Sequence, residues 1–217
     1  MSSYYYEFLT YHTGDRYEKA AKRLKESAKQ FDIDLTILKI KDQGSWHDNV
    51  NRKAEVYYQW YMKHKKPFVI LDADCVIHQE PVLFKQSTCC DIAHLWCKPN
   101  VFYISTGICA FDSNKKVEAL LKYWVRECSN ARKKPPNITY LKSDLNLKRA
   151  WNSLSRVNNM TRATLPKVYG KPYWVSFDIQ NPKDIVISCN ERCTLYEDGY
   201  ENPNRKRKGN SLDVKSI

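Results

Sequence analysis

Hydrophobic and polar positions in the first third of the chain alternate between two periods. Short apolar runs rich in aromatic and β-branched residues indicate strands, whereas Tyr17, Leu24 and Ala28 recur at helical spacing in a more polar segment. The pattern predicts a strand at residues 4–10, a helix at 16–30, a strand at 33–40, a helix at 48–64 and a strand at 68–71. Because parallel neighbouring strands need crossover helices, this order predicts a three-layer α/β domain with a mainly parallel sheet.

The second half of the chain predicts a mixed arrangement. Strands are expected at residues 90–96 and 104–111, helices at 113–128 and 143–151, and late strands at 173–177 and 185–188. From residue 197 the sequence turns polar and basic and loses its periodicity, which is typical of a tail or a linker. We therefore expect a single domain over residues 1–196, followed by a polar basic segment over residues 197–217.

Two carboxylates follow the third predicted strand at once. Asp72 and Asp74, separated by Ala73, come directly after an apolar, β-branched run. Side chains of a regular strand alternate between its faces, so both acids are expected to point the same way. Desolvating two adjacent anions is costly unless a cation lies between them. Because Mg²⁺ commonly binds one or two carboxylates together with phosphate oxygens, this run predicts a metal–diphosphate site.

The segments after the first three predicted strands are expected to form one cleft. They are the polar turn at residues 11–15 with the preceding Thr10, the loop at residues 42–46, and the pair of acids. In α/β sheets, ligands bind beyond the carboxyl ends of the strands, where such loops meet. The sequence therefore places its candidate chemistry at one edge of the sheet.

Composition limits the classes of binding partner and the cellular compartment that fit this chain. The formal net charge is +12, from 36 Lys and Arg against 24 Asp and Glu, which favours anionic partners such as nucleotide phosphates, acidic glycans, membrane surfaces or nucleic acid. Eight Cys without a recognisable signal peptide predict free thiols in a reducing compartment, the cytoplasm. Their spacing differs from that of a structural zinc site. No apolar run approaches the roughly 18 residues that a membrane span needs.

Short motifs occur in a definite order along the chain. They are residues 10–13, residues 44–46 with Asn49 and Lys53, residues 71–74, 91–94 and 105–107, Asp144, and residues 165–169. In this order they resemble the nucleotide-diphospho-sugar transferases, glycosyltransferases of the Rossmann-like GT-A fold. The compact length resembles that of small enzymes with which phages and large algal viruses glycosylate virion components. The resemblance implies transfer of a sugar from a nucleotide-diphosphate donor, such as UDP-glucose, to a glycan or glycoprotein, with no nucleic acid partner.

The resemblance also implies roles for individual residues. Asp72 and Asp74 would hold Mn²⁺ or Mg²⁺ against the donor diphosphate, and Asp144 matches the acid near the sugar and acceptor. Asp74 and Asp144 are thus the expected catalytic residues, and Lys53 would face the phosphates or the sugar. The other expected donor contacts are Thr10, Tyr11, His12, Thr13, Asp42 and Trp46 for the base and ribose, Ala73 within the acidic motif, and Ser105, Thr106 and Gly107 for the sugar.

The late part of the chain departs from the family pattern. Many GT-A enzymes draw a third metal ligand, often His, from a late strand, and the matching stretch here is residues 185–192. Cys189 in that stretch is a poor ligand for a hard cation. Either water completes the metal site, or Asn190 or Glu191 does, or metal binds weakly. Arg192 would instead add positive charge beside the diphosphate.

The chemistry leaves two stereochemical courses open. A divalent metal on the diphosphate would stabilise the charge of the departing nucleotide. If the enzyme inverts the anomeric centre, a carboxylate such as Asp144 must take the proton of the acceptor hydroxyl. If it retains the configuration, the departing phosphate can take that proton, and Asp144 orients the sugar.

Two other functions fit parts of the sequence. A phosphatase of the haloacid dehalogenase type would use Asp72 as nucleophile and Asp74 as acid/base, but that family opens with this strand, and here two strand–helix units precede it. It also needs paired acids after a later strand, and nothing after Asp112 supplies them convincingly. A basic RNA-binding module would fit the net charge, yet no aromatic recognition motif accompanies it.

Overall fold

The computed structural model describes residues 3–96, 104–133, 143–172 and 184–189. These residues form nine strands and four α-helices. In chain order they are β1 (Glu7–Thr13), α1 (Gly14–Lys29), β2 (Leu35–Ile40), α2 (Trp46–His64), β3 (Phe68–Leu71), β4 (Val76–Ile77), β5 (Ile92–Trp96), β6 (Ile104–Phe111), α3 (Lys115–Arg132), α4 (Ser143–Leu154), β7 (Arg162–Leu165), β8 (Lys171–Pro172) and β9 (Ile187–Cys189).

The main sheet has six strands in the order β2-β1-β3-β6-β5-β7. Strand β1 runs parallel to both β2 and β3, and β5 runs parallel to β7. Strand β6 is antiparallel to its neighbours β3 and β5. A second, small sheet in the order β4-β9-β8 adjoins it. The mixed, mainly parallel α/β architecture predicted from the sequence is confirmed.

Each face of the main sheet carries its own core. Strand β3 shows the division, because Phe68 and Ile70 belong to one cluster and Val69 and Leu71 to the other. The first cluster lies under α2, α3 and α4, where the stacked rings of Phe68 and Phe111 are 5.0 Å apart. The second lies under α1 and the small sheet. All four β3 residues are fully buried, which explains why this strand is a continuous apolar run.

The first strand and the following turn were predicted wrongly. Strand β1 runs from Glu7 to Thr13 rather than over residues 4–10, and residues 11–15, expected as a turn, form the end of β1 and the start of α1. Pairing with β2 carries the strand forward to Thr13, which lies opposite Ile40. Tyr4 and Tyr6 are buried in the core without being part of the strand. Backbone pairing with β2 thus sets the bounds of β1, and these bounds differ from those that the hydrophobic pattern predicts.

Other boundaries differ less. Helix α2 begins at Trp46, two residues before the prediction, because the side chain of Ser45 caps it by accepting a hydrogen bond from the Asp48 amide at 3.0 Å. The short strands β4, β7 and β8 were not predicted. The predicted late strand at 185–188 is observed as β9, whereas the one at 173–177 and the segment 197–217 lie outside the described residues.

Two general expectations agree with the structure. Cys89, Cys90, Cys109 and Cys128 carry thiols rather than disulfides. In the described part of the chain, no helix is both long and apolar enough to cross a bilayer.

Close packing between β5 and the β7–β8 connection gives a test of the fold. A Cβ atom on Gly170 would lie 1.8 Å from Cδ1 and 2.9 Å from Cγ of the buried Leu95. We expect Gly170→Ala to lower the free energy of unfolding by about 1–3 kcal/mol through overpacking. The measurement is urea-induced unfolding of the wild type and the variant.

A double variant controls for the cause. Leu95→Ala removes the clashing atoms, so Gly170→Ala combined with Leu95→Ala should be more stable than the sum of the two single losses predicts. Equal stability of Gly170→Ala and the wild type would contradict the observed packing.

Candidate active site

The two motif acids lie in a turn rather than on a regular strand. Strand β3 ends at Leu71, and the Cys75 amide donates to the Asp72 carbonyl at 2.9 Å, which closes a turn over residues 72–75. The Asp72 amide still pairs with the Gly107 carbonyl at 2.8 Å, so Asp72 sits at the last rung of the sheet. The expectation that both acids lie on a regular strand is therefore wrong, because the chain leaves the main sheet here to form β4.

A buried lysine is the centre of the site. Lys53, on the inner face of α2, is 5% exposed, and its Nζ forms an ion pair with Oδ1 of Asp72. The same Nζ lies 3.2 Å from both the carbonyl oxygen and Oγ1 of Thr106. An ammonium group has three donors, and each has an acceptor in this arrangement. The cluster brings helix α2, the end of β3 and the start of β6 together.

Electrostatics keep this lysine charged. Burial by itself would lower the pKa of Lys53, but the carboxylate of Asp72 and, more weakly, that of Asp144 raise it, so its pKa lies above the ordinary value. Burial also raises the pKa of Asp72, although the charge of Lys53 opposes that rise. The Asp72 side chain nevertheless remains 31% exposed, so solvent and solutes reach its carboxylate.

The third acid joins the cluster through Thr106. Asp144 lies in the first turn of α4, where a negative charge is favoured by the helix dipole. Its Oδ1 accepts a hydrogen bond from the Thr106 amide at 2.7 Å and another from the Thr106 hydroxyl. Asp72 and Asp144, far apart in sequence, are thus linked through Lys53 and Thr106.

Gly107 permits the close approach of β6 to Asp72. A Cβ atom at this position would lie 3.2 Å from Asp72 Oδ2 and 3.5 Å from Ser105 Oγ. Ser105 Oγ in turn accepts a hydrogen bond from the Gly107 amide at 3.2 Å. Contact with the acid itself therefore favours the small residue at the end of the motif at 105–107.

The loop after β2 lies next to the start of α1, which follows β1 without an intervening loop. Asp42 accepts hydrogen bonds from the Gly44 amide at 2.7 Å and from Nδ2 of Asn49 at 2.9 Å. A Cβ on Gly14, at the start of α1, would lie 3.4 Å from Asp42 Oδ2. The Tyr11 hydroxyl donates to the Asn49 carbonyl at 3.1 Å. Trp46 follows this loop with 56% of its surface exposed.

Several predicted donor residues lie inside the protein. Thr10, His12 and Thr13 are buried on β1, and Ala73 is buried within the turn. Thr10 Oγ1 and His12 Nδ1 have no hydrogen-bond partner among the described residues. Asp74 is half-buried in the same turn as Ala73, and Arg192 lies outside the described residues.

Residues that the sequence reasoning missed connect α2 with α4. Asn146 donates from Nδ2 to Asn51 Oδ1 at 2.8 Å, and Arg149 donates to Asn146 Oδ1 at 3.0 Å. Both asparagines are buried. The available signal was their place on the apolar faces of two amphipathic helices, where an amide needs a partner.

A metal would find a small set of protein ligands here. Among the described residues, no group of three or more His, Cys, Asp and Glu side chains is arranged to hold a metal ion. The acids of the turn supply hard oxygen donors, and the exposure of Asp72 leaves it accessible, so the residues fit a cation that takes its other ligands from a phosphate and water. Strand β9 runs antiparallel to β4, toward the end of β4 that adjoins Asp74.

Solved structures of glycosyltransferases share the fold of this chain. A glycosyltransferase involved in the glycosylation of the major capsid of PBCV-1 superposes with a TM-score of 0.61 and 14% identity, over 88% of this chain and 96% of its own. Mouse xyloside xylosyltransferase 1 superposes with a TM-score of 0.51 and 9% identity, over 87% of this chain and 98% of its own. The chain has the fold of GT-A glycosyltransferases.

Coverage differs among these glycosyltransferases. The glycosyltransferase GlyE of Streptococcus pneumoniae TIGR4 superposes with a TM-score of 0.58 and 10% identity over 91% of this chain, which spans 61% of GlyE. No family model matches the sequence, and no curated protein matches it either. The likeness is therefore one of fold, and the activity must be argued from the site.

The ion pair at the centre of this glycosyltransferase fold gives a second test. We expect Lys53→Met to lower the free energy of unfolding by about 1–3 kcal/mol, because it leaves the carboxylate of Asp72 without its counter-charge. The loss is at the lower end of the range for buried pairs because Asp72 is partly solvated. Chemical denaturation at neutral pH measures it.

A surface lysine on the same helix provides the control. Lys63→Met alters the exposed face of α2 and should change the free energy of unfolding by less than about 0.5 kcal/mol. Combining Lys53→Met with Asp72→Asn should cost less than the sum of the two single changes. Additive losses would show that the two side chains do not interact.

Proposed function

We propose that this protein is a metal-dependent glycosyltransferase that moves a sugar from a nucleotide-diphosphate donor to a glycan or glycoprotein acceptor. The observation that carries the proposal is the convergence of Lys53, Asp72, Thr106 and Asp144 at the carboxyl end of β3, within a glycosyltransferase fold. In sheets of this class ligands bind at that edge. The net charge of +12 suits an anionic donor.

Asp72 and Asp74 are the residues that would hold Mn²⁺ or Mg²⁺. When bound, the cation stabilises negative charge on the departing nucleotide diphosphate. Lys53 holds the Asp72 carboxylate in place and adds a buried positive charge next to it. Arg192 is proposed to contribute further charge to the diphosphate.

The loop at residues 42–46 is proposed to hold the nucleoside. Its hydrogen bonds to Asp42 fix the backbone before binding, which reduces the entropy lost when a ligand arrives. The exposed indole of Trp46 offers a flat apolar face on which a base can stack. Uridine is the base that we propose, with UDP-glucose as a representative donor.

Asp144 is proposed to act on the sugar and the acceptor. Its carboxylate belongs to the same cluster as Asp72 and comes from a different element, α4. In an inverting reaction it takes the proton of the acceptor hydroxyl, and in a retaining reaction it orients the sugar. The capsid glycosylation in which one structural neighbour is involved supports a virion glycan as one candidate acceptor.

Calorimetric titration of UDP, GDP and CMP, each with and without Mn²⁺, tests the donor site. We expect one nucleotide, UDP, to bind tightly only when Mn²⁺ is present. Asp74→Ala should abolish that binding, because it removes one of the two carboxylates proposed to hold the cation.

The control removes an acid from the opposite end of the sheet. Asp34 is exposed just before β2, so Asp34→Ala should leave UDP affinity unchanged within about twofold. Binding that is indifferent to both Mn²⁺ and Asp74 would contradict the proposal. Such a result would reopen the phosphatase and RNA-binding alternatives.

A further inference from the structure

Thr106 has its polar groups committed within the protein. Its amide donates to Asp144 Oδ1 at 2.7 Å, and its carbonyl accepts from Lys53 Nζ at 3.2 Å. Its hydroxyl lies between the same two partners, 3.2 Å from Lys53 Nζ and hydrogen-bonded to Asp144 Oδ1. The residue is 2% exposed. The resemblance implied that Thr106 binds the sugar, but Thr106 is poorly placed to do so. It is well placed to hold the side chains of Lys53 and Asp144.

The direction of the hydroxyl's hydrogen bonds is set by chemistry. An ammonium only donates, and an ionised carboxylate only accepts. The Thr106 oxygen accepts a hydrogen bond from Lys53 Nζ, and the Thr106 hydroxyl donates its proton to Asp144 Oδ1. The chain of bonds runs from Lys53 through Thr106 to Asp144 in one direction. Bonds in such a chain polarise one another, and both charged ends strengthen it.

The start of α4 is fixed by other elements as well. The indole Nε1 of Trp124, on α3, donates to the Ser143 carbonyl at 3.0 Å. The amide of Asn146 donates to Asn51, on α2, at 2.8 Å. These bonds position the backbone of α4. The two bonds from Thr106 to a single carboxylate oxygen orient the Asp144 side chain.

We propose that Thr106 is a positioning residue that orients the Asp144 carboxylate and couples it to the Lys53–Asp72 pair. The inference rests on the proposed function, since it assigns to Asp144 a role in glycosyl transfer. Misplacing a reacting group by about 1 Å can cost on the order of 100-fold in rate. The effect of Thr106 should therefore appear in turnover rather than in donor affinity.

Comparing Thr106→Val with Thr106→Ser separates the effect of losing the hydroxyl from the effect of changing the shape of the side chain. Valine keeps the β-branched shape that suits a strand, and its backbone amide can still donate a hydrogen bond to Asp144, but it lacks the hydroxyl. The assay measures UDP release from the UDP-sugar that the wild type turns over fastest in a panel with Mn²⁺, and calorimetry measures UDP affinity. We expect Thr106→Val to lower kcat about 10- to 100-fold with UDP affinity within about threefold of the wild type. Thr106→Ser should retain at least about half of the wild-type kcat, because it keeps the hydroxyl.

A double variant tests the route of the effect. If Thr106 acts through Asp144, adding Thr106→Val to Asp144→Asn should lower kcat by less than about threefold beyond Asp144→Asn alone. Full additivity, an unchanged kcat in Thr106→Val, or equal loss in the serine variant would overturn the inference. A loss confined to UDP affinity would do so too, by showing direct donor contact.

The wild-type protein distinguishes this inference from the proposal beneath it. If the wild type shows neither metal-dependent UDP binding nor turnover, both the proposed function and the role of Thr106 are contradicted. If the wild type turns over and Thr106→Val has the same kcat, only the role of Thr106 is contradicted. Circular dichroism and thermal unfolding of each variant separate a loss of folding from a loss of positioning.

Discussion

The site depends on one buried ion pair, that between Lys53 and Asp72. Placing an ammonium group inside an α/β core costs several kcal/mol unless its charge and its donors are satisfied. Here one carboxylate and two oxygens of Thr106 satisfy them. The arrangement requires α2 to lie across the sheet with Lys53 facing inward, and Gly107 leaves room for the acid.

The acidic motif occupies a turn next to this ion pair. The turn over residues 72–75 keeps the Asp72 amide paired with β6 and then directs the chain into the small sheet. Asp72 is thus held by protein groups on one side and is open to solvent on the other. A carboxylate in that position can be rigid and still receive a ligand.

Sequence patterns correctly predicted the main strands and helices of the fold. The continuous apolar run of β3 and the amphipathic spacing of α1 and α3 have strong periodicity, because each buries one face or both against a core. Strand β1 was misplaced because its last residues, Tyr11 to Thr13, are polar or amphipathic and become a strand by pairing with β2. Strand β7 escaped notice because it is a short edge strand, half exposed and without an apolar run.

The sequence predicted which residues belong to the candidate site better than it predicted the hydrogen bonds between them. The resemblance implied that Asp72, Lys53 and Gly107 belong to one donor site, and the structure brings these residues into contact. Thr106 was expected at the sugar, yet its amide, carbonyl and hydroxyl are used by Lys53 and Asp144. Such pairings join residues from three distant segments, so no local pattern predicts them. They follow from the three-dimensional arrangement of α2, β6 and α4.

Manganese anomalous scattering from crystals grown with UDP and Mn²⁺ tests the central claim most directly. The account predicts a single strong peak within about 2–2.5 Å of a carboxylate oxygen of Asp72 or Asp74, next to the diphosphate of a bound UDP. A peak elsewhere, or UDP bound at this edge of the sheet without manganese, would contradict a metal-dependent donor site built on the Lys53–Asp72 pair.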